Sequence, residues 1–250
     1  MPSREPVAAV ASLHRYPVKS LLGEQVDRLE VDARGCAGDR VWALSTGGGM
    51  LASGKSGRRF TAVPGLQQVR ARLVGGTVLL RLPDGTETSA DDPAAPALLS
   101  AHLGREVTLL READGSSDGL HDGVGHFDDG PVSLLGTASV GAVADDLGAP
   151  VPTSRFRPNI VLRTDAAWAE DAWDGRRLQV GDVLLDVVQT SPRCTMVDAA
   201  TADTPAQPGV LKAVGRLNGA ELGIIADVVR GGVVAVGDQV SLVGDGPALR

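Results

Sequence analysis

Gln68-Val69-Arg70-Ala71-Arg72-Leu73-Val74-Gly75-Gly76-Thr77-Val78-Leu79-Leu80-Arg81-Leu82 is the stretch that sets the fold class. Apolar and polar residues alternate up to Gly75-Gly76, and an aliphatic run follows the pair. Alternation of period two puts one face of a strand on a core. A diglycine supplies the positive φ that a tight turn demands, so the stretch reads as a β-hairpin. Pro83-Asp84-Gly85 marks a second turn directly after it.

Further strands are predicted at Val7 to Leu13, Arg40 to Ser45, Glu106 to Arg111, Ile160 to Arg163, Val183 to Gln189, Leu222 to Val229 and Gln239 to Val243. Helical spacing is rarer. One helix is predicted from about Ala95 to Gly104, with Leu98, Leu99 and Leu103 on one face. A second runs from Thr137 to Leu147, with Thr137 or Ser139 near its N-cap and Gly148 past its end. A small third one lies around Val210 to Leu217. Two strands are introduced alike, by Val180-Gly181-Asp182-Val183 and Val236-Gly237-Asp238-Gln239, as in a β-barrel with short corners. The chain therefore reads as mainly β (α+β). A polar stretch from Glu112 to Gly130 separates its halves and carries His121 and His126, read as solvated loop residues.

The bulk numbers exclude several classes. With 43% apolar and 22% charged residues the 250-residue chain has the makings of an ordinary globular core. Its net charge of −7 argues against a general nucleic-acid surface. No apolar stretch is long enough to span a bilayer, and the N-terminus lacks a signal-peptide core, so no membrane association and a cytoplasmic location are expected. No GxGxxG run is present, and the four histidines form no HExxH pair.

Gly49-Met50-Leu51-Ala52-Ser53-Gly54-Lys55-Ser56 has full Walker A spacing. A P-loop needs a helix opening at Lys55-Ser56, but Gly57 follows at once and Pro64-Gly65 ends any helix within two turns. A glycine-rich hairpin loop with an exposed lysine is the plainer reading, and an NTPase the third functional alternative.

Chemistry concentrates in Gln189-Thr190-Ser191-Pro192-Arg193-Cys194-Thr195-Met196-Val197-Asp198. The only other cysteine is Cys36, read as a small core residue; the two cannot form a short-spaced metal motif, and a cytosolic disulfide is not expected. Cys194 reads two ways. It is either a buried, inert thiol or an accessible thiolate whose arginine neighbour favours ionisation and whose softness suits a sulfur-rich metal centre.

Separated segments point the same way: Tyr16-Pro17-Val18-Lys19-Ser20, Gly38-Asp39-Arg40-Val41-Trp42, Asp128-Asp129-Gly130-Pro131, Arg155-Phe156-Arg157-Pro158-Asn159-Ile160-Val161, the run around Cys194, and Leu217-Asn218-Gly219 before Leu222-Gly223-Ile224. Together and in this order they resemble the MOSC family. The resemblance spans roughly residues 7 to 245 and is strongest to the branch with an N-terminal β-domain, the amidoxime-reducing components of mitochondria and their bacterial relatives. It implies an N-terminal MOSC-associated β-domain over 1–112 and a MOSC-type β-barrel with a few helices over 113–250.

The resemblance also implies roles. Cys194 corresponds to the thiolate that ligates molybdenum in a molybdenum cofactor (molybdopterin). Lys19, Ser20 and Arg40 correspond to cofactor-holding groups from the N-terminal side, and Arg157, Asn159 and Arg193 to pocket residues from the C-terminal side. Asp128 matches an acidic residue near the metal, a proton donor if burial raises its pKa. Arginine forks suit phosphate oxygens and an amide suits pterin edges. Two departures stand out: Pro192 replaces a serine beside the metal cysteine and Phe127 a small polar residue, and both bear on polarity and substrate choice.

The expected activity is reduction of N-hydroxylated small molecules, with electrons from a separate donor protein because no cysteine cluster follows before Arg250. The alternative is a non-redox cofactor-binding protein or a carrier of persulfide sulfur on Cys194.

Overall fold

The diglycine hairpin forms as expected: Arg70 pairs with Arg81 and Val74 with Thr77 across Gly75 and Gly76, at φ of 56° and 86°. It belongs to a computed structural model that describes residues 6–112 and 126–245. His121 lies outside the described residues.

The N-terminal part supplies β1 (Pro6–Arg15), β2 (Glu24–Val26), β3 (Arg28–Asp32), β4 (Gly35–Cys36), β5 (Trp42–Ser45), β6 (Leu51–Ser53), β7 (Phe60–Ala62), β8 (Arg70–Val74), β9 (Thr77–Arg81), β10 (Glu87–Ser89), helix α1 (Ala95–Leu103) and β11 (Thr108–Arg111). The remainder supplies β12 (Val132–Gly136), α2 (Thr137–Leu147), β13 (Ile160–Arg163), β14 (Arg176–Val180), β15 (Val183–Pro192), α3 (Val210–Asn218), β16 (Glu221–Arg230), β17 (Gly232–Ala235) and β18 (Gln239–Asp245).

Seven strands close a barrel in the order β13-β12-β16-β15-β14-β18-β1, with β1 pairing back onto β13 and carrying β2 on its flank. The mainly β, barrel-containing class expected from the sequence is what forms. Most neighbours are antiparallel. The exception is β12 and β13, which run parallel, and a parallel pair needs a crossover. Helix α2 is that crossover. Its N-cap is Gly136, without a side-chain cap, rather than Thr137 or Ser139. The barrel is filled by aliphatic side chains such as Val10, Leu13, Leu134, Ile160, Leu178 and Ile224. Cys36 is a buried free thiol in this core, as expected, and burial pushes its pKa up.

Sheets β8-β9-β10 and β11-β5-β6-β7 enclose a second core with α1 that includes Val18, Leu44, Leu66, Leu80 and Leu99. A third cluster packs α2 and α3 against the barrel through Val140, Val143, Val210, Val214 and Leu222. Strand β16 is buried without a break from Leu222 to Ala226 because both of its faces are covered. Leu222 meets the helices, while Ile224 and Ala226 enter the barrel.

The Walker A pattern builds no P-loop. Gly47, Gly48 and Gly49 all have positive φ and turn β5 into β6, and Leu51–Ser53 is itself a strand. The chain then runs into β7 with no helix behind Lys55-Ser56 to gather phosphate, which removes the NTPase reading.

One buried carboxylate organises the crossover. Glu170 is fully buried and accepts the Gly136 N–H at 2.9 Å and the Ser139 hydroxyl at 2.8 Å, so it anchors the start of α2. Glu170→Ala leaves both donors unpaired in a dry site. We expect it to destabilise the fold by roughly 2–3 kcal/mol, read as a fall of several degrees in Tm; an unchanged Tm would contradict this role.

Candidate functional site

Strand β15 delivers Cys194. Its pairing with β16 shifts register between Thr190 and Pro192, and Pro192 still pairs with Glu221 just before the strand ends. Arg193 pins the exit: its backbone N–H donates to Ala220 O at 2.8 Å, its Nε to Leu222 O at 2.7 Å and its Nη1 to Phe156 O at 3.0 Å. Cys194 is extended (φ −126°, ψ 177°), and a 3-10 turn, Thr195–Asp198, starts directly after it. The result is a free, half-buried thiol on the wall of a cleft.

That cleft is open to solvent and holds about 800 Å³ of non-protein space, and both ends of the sequence contribute to it. Lys19, Ser20, Arg40, Asp128, Arg157 and Arg193 line it together with Cys194. Ser20, Arg40 and Arg157 share an unusual backbone: φ is 65°, 50° and 55°. Non-glycine residues with φ in this range cost about 1–3 kcal/mol each, which the surroundings must hold in place. The Arg40 N–H donates to Tyr16 O at 2.8 Å, and that of Arg157 to Ser154 O at 3.2 Å. Tyr16 is the common support, with Arg157 4.3 Å and Arg40 5.1 Å from its ring centroid. Asp39 completes the unit, pairing with Arg40 and accepting the Tyr16 N–H at 2.6 Å.

Burial opposes the charge of these cations. It pushes Arg157 and Arg193 down to about 10. It opposes the charge of Arg40 too, but Asp39 outweighs it and leaves Arg40 above its ordinary value. Lys19 is 3% exposed, and burial holds its ammonium below its ordinary value against the pull of Asp128. Its Nζ donates to Asp128 Oδ1 at 2.6 Å and to His126 O at 2.9 Å. The three arginines remain cationic at neutral pH.

Asp128 differs from expectation. Burial works to raise its pKa, but Lys19, Lys55 and Arg40 together outweigh burial and hold the carboxyl below its usual range. It is an ionised acceptor bound to Lys19, not a stored proton. Asn159 is also displaced from its expected role. It is buried outside the cleft wall, where Oδ1 accepts the Ser133 N–H (3.1 Å) and hydroxyl (3.0 Å) and Nδ2 donates to His14 O (3.4 Å). It ties β12 to β1. Phe127 is buried on the wall of a different cavity, beside Cys36 and Trp42, whereas Pro192 does line the cleft. His126, expected in solvent, is buried behind Lys19.

The structure adds Lys55, Arg155, Ser133, Met196 and Ile225 to the wall. Lys55 came from the rejected Walker pattern; its Nζ sits 5.4 Å from the Phe60 ring centroid, and that of Lys19 5.1 Å from the same ring. Its one signal in the sequence was being among three lysines in an arginine-rich chain. Arg155 shares the Arg-Phe-Arg-Pro run but spends its guanidinium on the carbonyls of Val197, Ala199 and Pro205.

In all, six cationic side chains and two carboxylates face a cleft in a protein of net charge −7. Such a focus of positive charge suits an anion. Among the described residues no group of three or more His, Cys, Asp or Glu side chains gathers. A soft thiol beside anion-binding cations fits a metal carried on a sulfur-rich, phosphate-bearing cofactor.

Comparison with known proteins agrees with this geometry. Residues 7–118 match the MOSC N-terminal beta barrel domain and residues 118–241 the MOSC domain. The chain belongs to the MOSC family. The mitochondrial amidoxime reducing component 2 of Bos taurus is 27% identical to this MOSC protein over 76% of this chain and 66% of its own length. The mitochondrial amidoxime-reducing component 1 of Homo sapiens is 38% identical over 82 residues, 32% of this chain and 24% of its own. The matched parts thus span less than two thirds of these curated relatives. The crystal structure of the YUAD protein from Bacillus subtilis superposes with a TM-score of 0.50 at 14% identity, over 95% of this chain and 96% of that one, and shares the MOSC fold.

Two outcomes follow for this MOSC protein. Brief iodoacetamide treatment of the native protein should alkylate Cys194 and leave Cys36 untouched until denaturation; equal labelling of both would refute the assigned burial. Asn159→Ala should lower stability by roughly 1–3 kcal/mol in a melting experiment without changing the Cys194 alkylation rate. A changed rate at unchanged stability would return Asn159 to the site.

Proposed function

We propose that this protein is a molybdenum-cofactor oxidoreductase that reduces N-hydroxylated small molecules such as amidoximes and hydroxylamines. The observation that carries the reading is the free Cys194 thiol opening into a cleft walled by six cations from both halves of the chain. The similarity to the two amidoxime-reducing components supports it further. The division after residue 112 is proposed as a functional one. The N-terminal unit brings Lys19, Ser20 and Arg40, and the C-terminal unit Asp128, Arg157, Arg193 and Cys194.

When bound, the cofactor supplies a molybdenum centre able to store and release two electrons, and Cys194 would be its protein ligand. Arg40 and Arg157, fixed on Tyr16, would receive the cofactor's phosphate with Lys55. Arg193 acts through the backbone by holding the Cys194 loop. The overall reaction consumes two electrons and two protons, breaks the N–O bond and releases its oxygen as water. A separate protein donates the electrons. Lys19 holds protons on Nζ inside the cleft, and Asp128, with its side chain 40% exposed, links that nitrogen to solvent. Asp128 is thus a relay that stays ionised between transfers.

No helix among the described residues is long and apolar enough to cross a membrane. Two free thiols support a reducing compartment, and we place the protein in the cytoplasm.

The test is molybdenum and pterin content after expression in a cofactor-making host, for wild type and Cys194→Ala. Near-stoichiometric metal and pterin are expected in the wild type. The mutant should fold normally, lose turnover of an amidoxime and show altered or absent metal coordination. A folded wild type with neither molybdenum nor pterin, carrying a persulfide on Cys194, would replace the reductase with the sulfur carrier.

A further inference from the structure

Beside the charged cleft lies a second space of different character. It is a groove of about 760 Å³, solvent included, between the ends of the parallel strands β6 and β7, the segment that follows β7 and the chain beyond Cys194. Gly54, Ala62, Gly65, Leu66, Met196 and Ala200 are among its lining, which contains no charged residue among those described. Its polar side chains are the amides of Gln67 and Gln68, and part of its backbone is already paired. Val63 N–H donates to Ser53 O (2.8 Å), Gln68 N–H to Gly65 O (2.9 Å), and Gln67 O accepts the Ala202 N–H (2.9 Å).

Met196 belongs to both spaces. It stands two residues beyond Cys194 and lies tightly against Gly54, where a Cβ would come within 2.7 Å of its Cγ. Gly54 in turn precedes Lys55 of the cleft wall. Ser53 Oγ lies 4.0 Å from the Met196 sulfur. The cationic cleft and the uncharged groove therefore meet at one unbranched, adaptable side chain.

The geometry points to a substrate with two unlike ends. The groove beyond Met196 holds the apolar body of an N-hydroxylated substrate whose polar head reaches the cleft at Cys194. This rests on the reductase reading for the identity of the head. The shared Met196 wall selects the occupant: a molecule that reaches Cys194 past Met196 must leave its uncharged portion against Gly65, Leu66 and Ala200. A carboxylate on that portion would lose hydration with no cationic partner among the lining residues, only the amides of Gln67 and Gln68. Aryl and alkylaryl amidoximes fit the arrangement, and short or terminally charged ones leave the groove unused.

The experiment measures binding by calorimetry to cofactor-loaded protein without an electron donor. The ligands are acetamidoxime, benzamidoxime, 4-butylbenzamidoxime and 4-carboxybenzamidoxime. Each methylene fully buried is worth about fourfold in affinity, so the butyl compound should bind at least tenfold more tightly than benzamidoxime and the carboxylate more weakly. Ala200→Trp, and independently Ala62→Trp, should remove the butyl advantage while shifting acetamidoxime by less than about twofold. Both positions are exposed, so either bulk is tolerated by the fold. An affinity series flat in chain length, or Trp variants that weaken all four ligands alike, would overturn the groove assignment. Turnover with a reductant is read separately. Graded, Trp-sensitive binding without reduction would sustain the groove and overturn the reductase, whereas reduction with a flat series would do the reverse.

Discussion

The pairing of β1 with β13 is the contact on which the rest of this molecule depends. Leu13 sits opposite Ile160, and the His14 N–H donates to Asn159 O at 2.8 Å. That register closes the barrel, and it also sets where the chain goes next. Tyr16, two residues past His14, is held between Arg40 and Arg157, and Lys19 follows into the cleft. A one-residue slip would turn Leu13 out of the core and carry Tyr16 away from both guanidinium groups. Stability of the barrel and assembly of the site are therefore one constraint.

Like charges then have to be kept together. Buried Lys19 and half-buried Arg40 and Arg157 lie close enough to oppose one another's charge. Asp39, Asp128 and the Tyr16 ring offset part of that repulsion, and left-handed backbone at Ser20, Arg40 and Arg157 adds strain. Such an arrangement is costly for a free protein and favourable for one that receives an anionic group. The same reasoning explains why Asp128 is ionised: the charges that would gather a phosphate also hold its proton off.

The uncharged groove beyond Met196 contrasts with this. Its lining is mostly apolar, with Gln67 and Gln68 but no charged residue among those described, so it has no counter-charge to offer a charged ligand. A charged cleft and an apolar groove sharing one methionine would select for amphiphilic molecules through the shape of the wall alone.

Period-two patterning and turn chemistry were enough to find the β8–β9 hairpin, strand β13, helices α1, α2 and α3 and the mainly β class. They are local effects, set by neighbours in the chain. Strands β12 and β14 escaped notice: Val132–Gly136 is short and Arg176–Val180 mixes charge with its apolar residues, and both are strands because the barrel pairs them on each side. The site divides in the same way. A lone cysteine behind an arginine, and the segments holding Lys19, Arg40 and Arg157, were legible as motifs. Long-range packing alone decided that Asn159 turns into the barrel wall, that Asp128 is ionised by its neighbours, and that Lys55 of a false phosphate loop joins the cleft. Residue type and spacing set which chemistry is available; which groups share a dielectric and a distance follows only once the strands have closed.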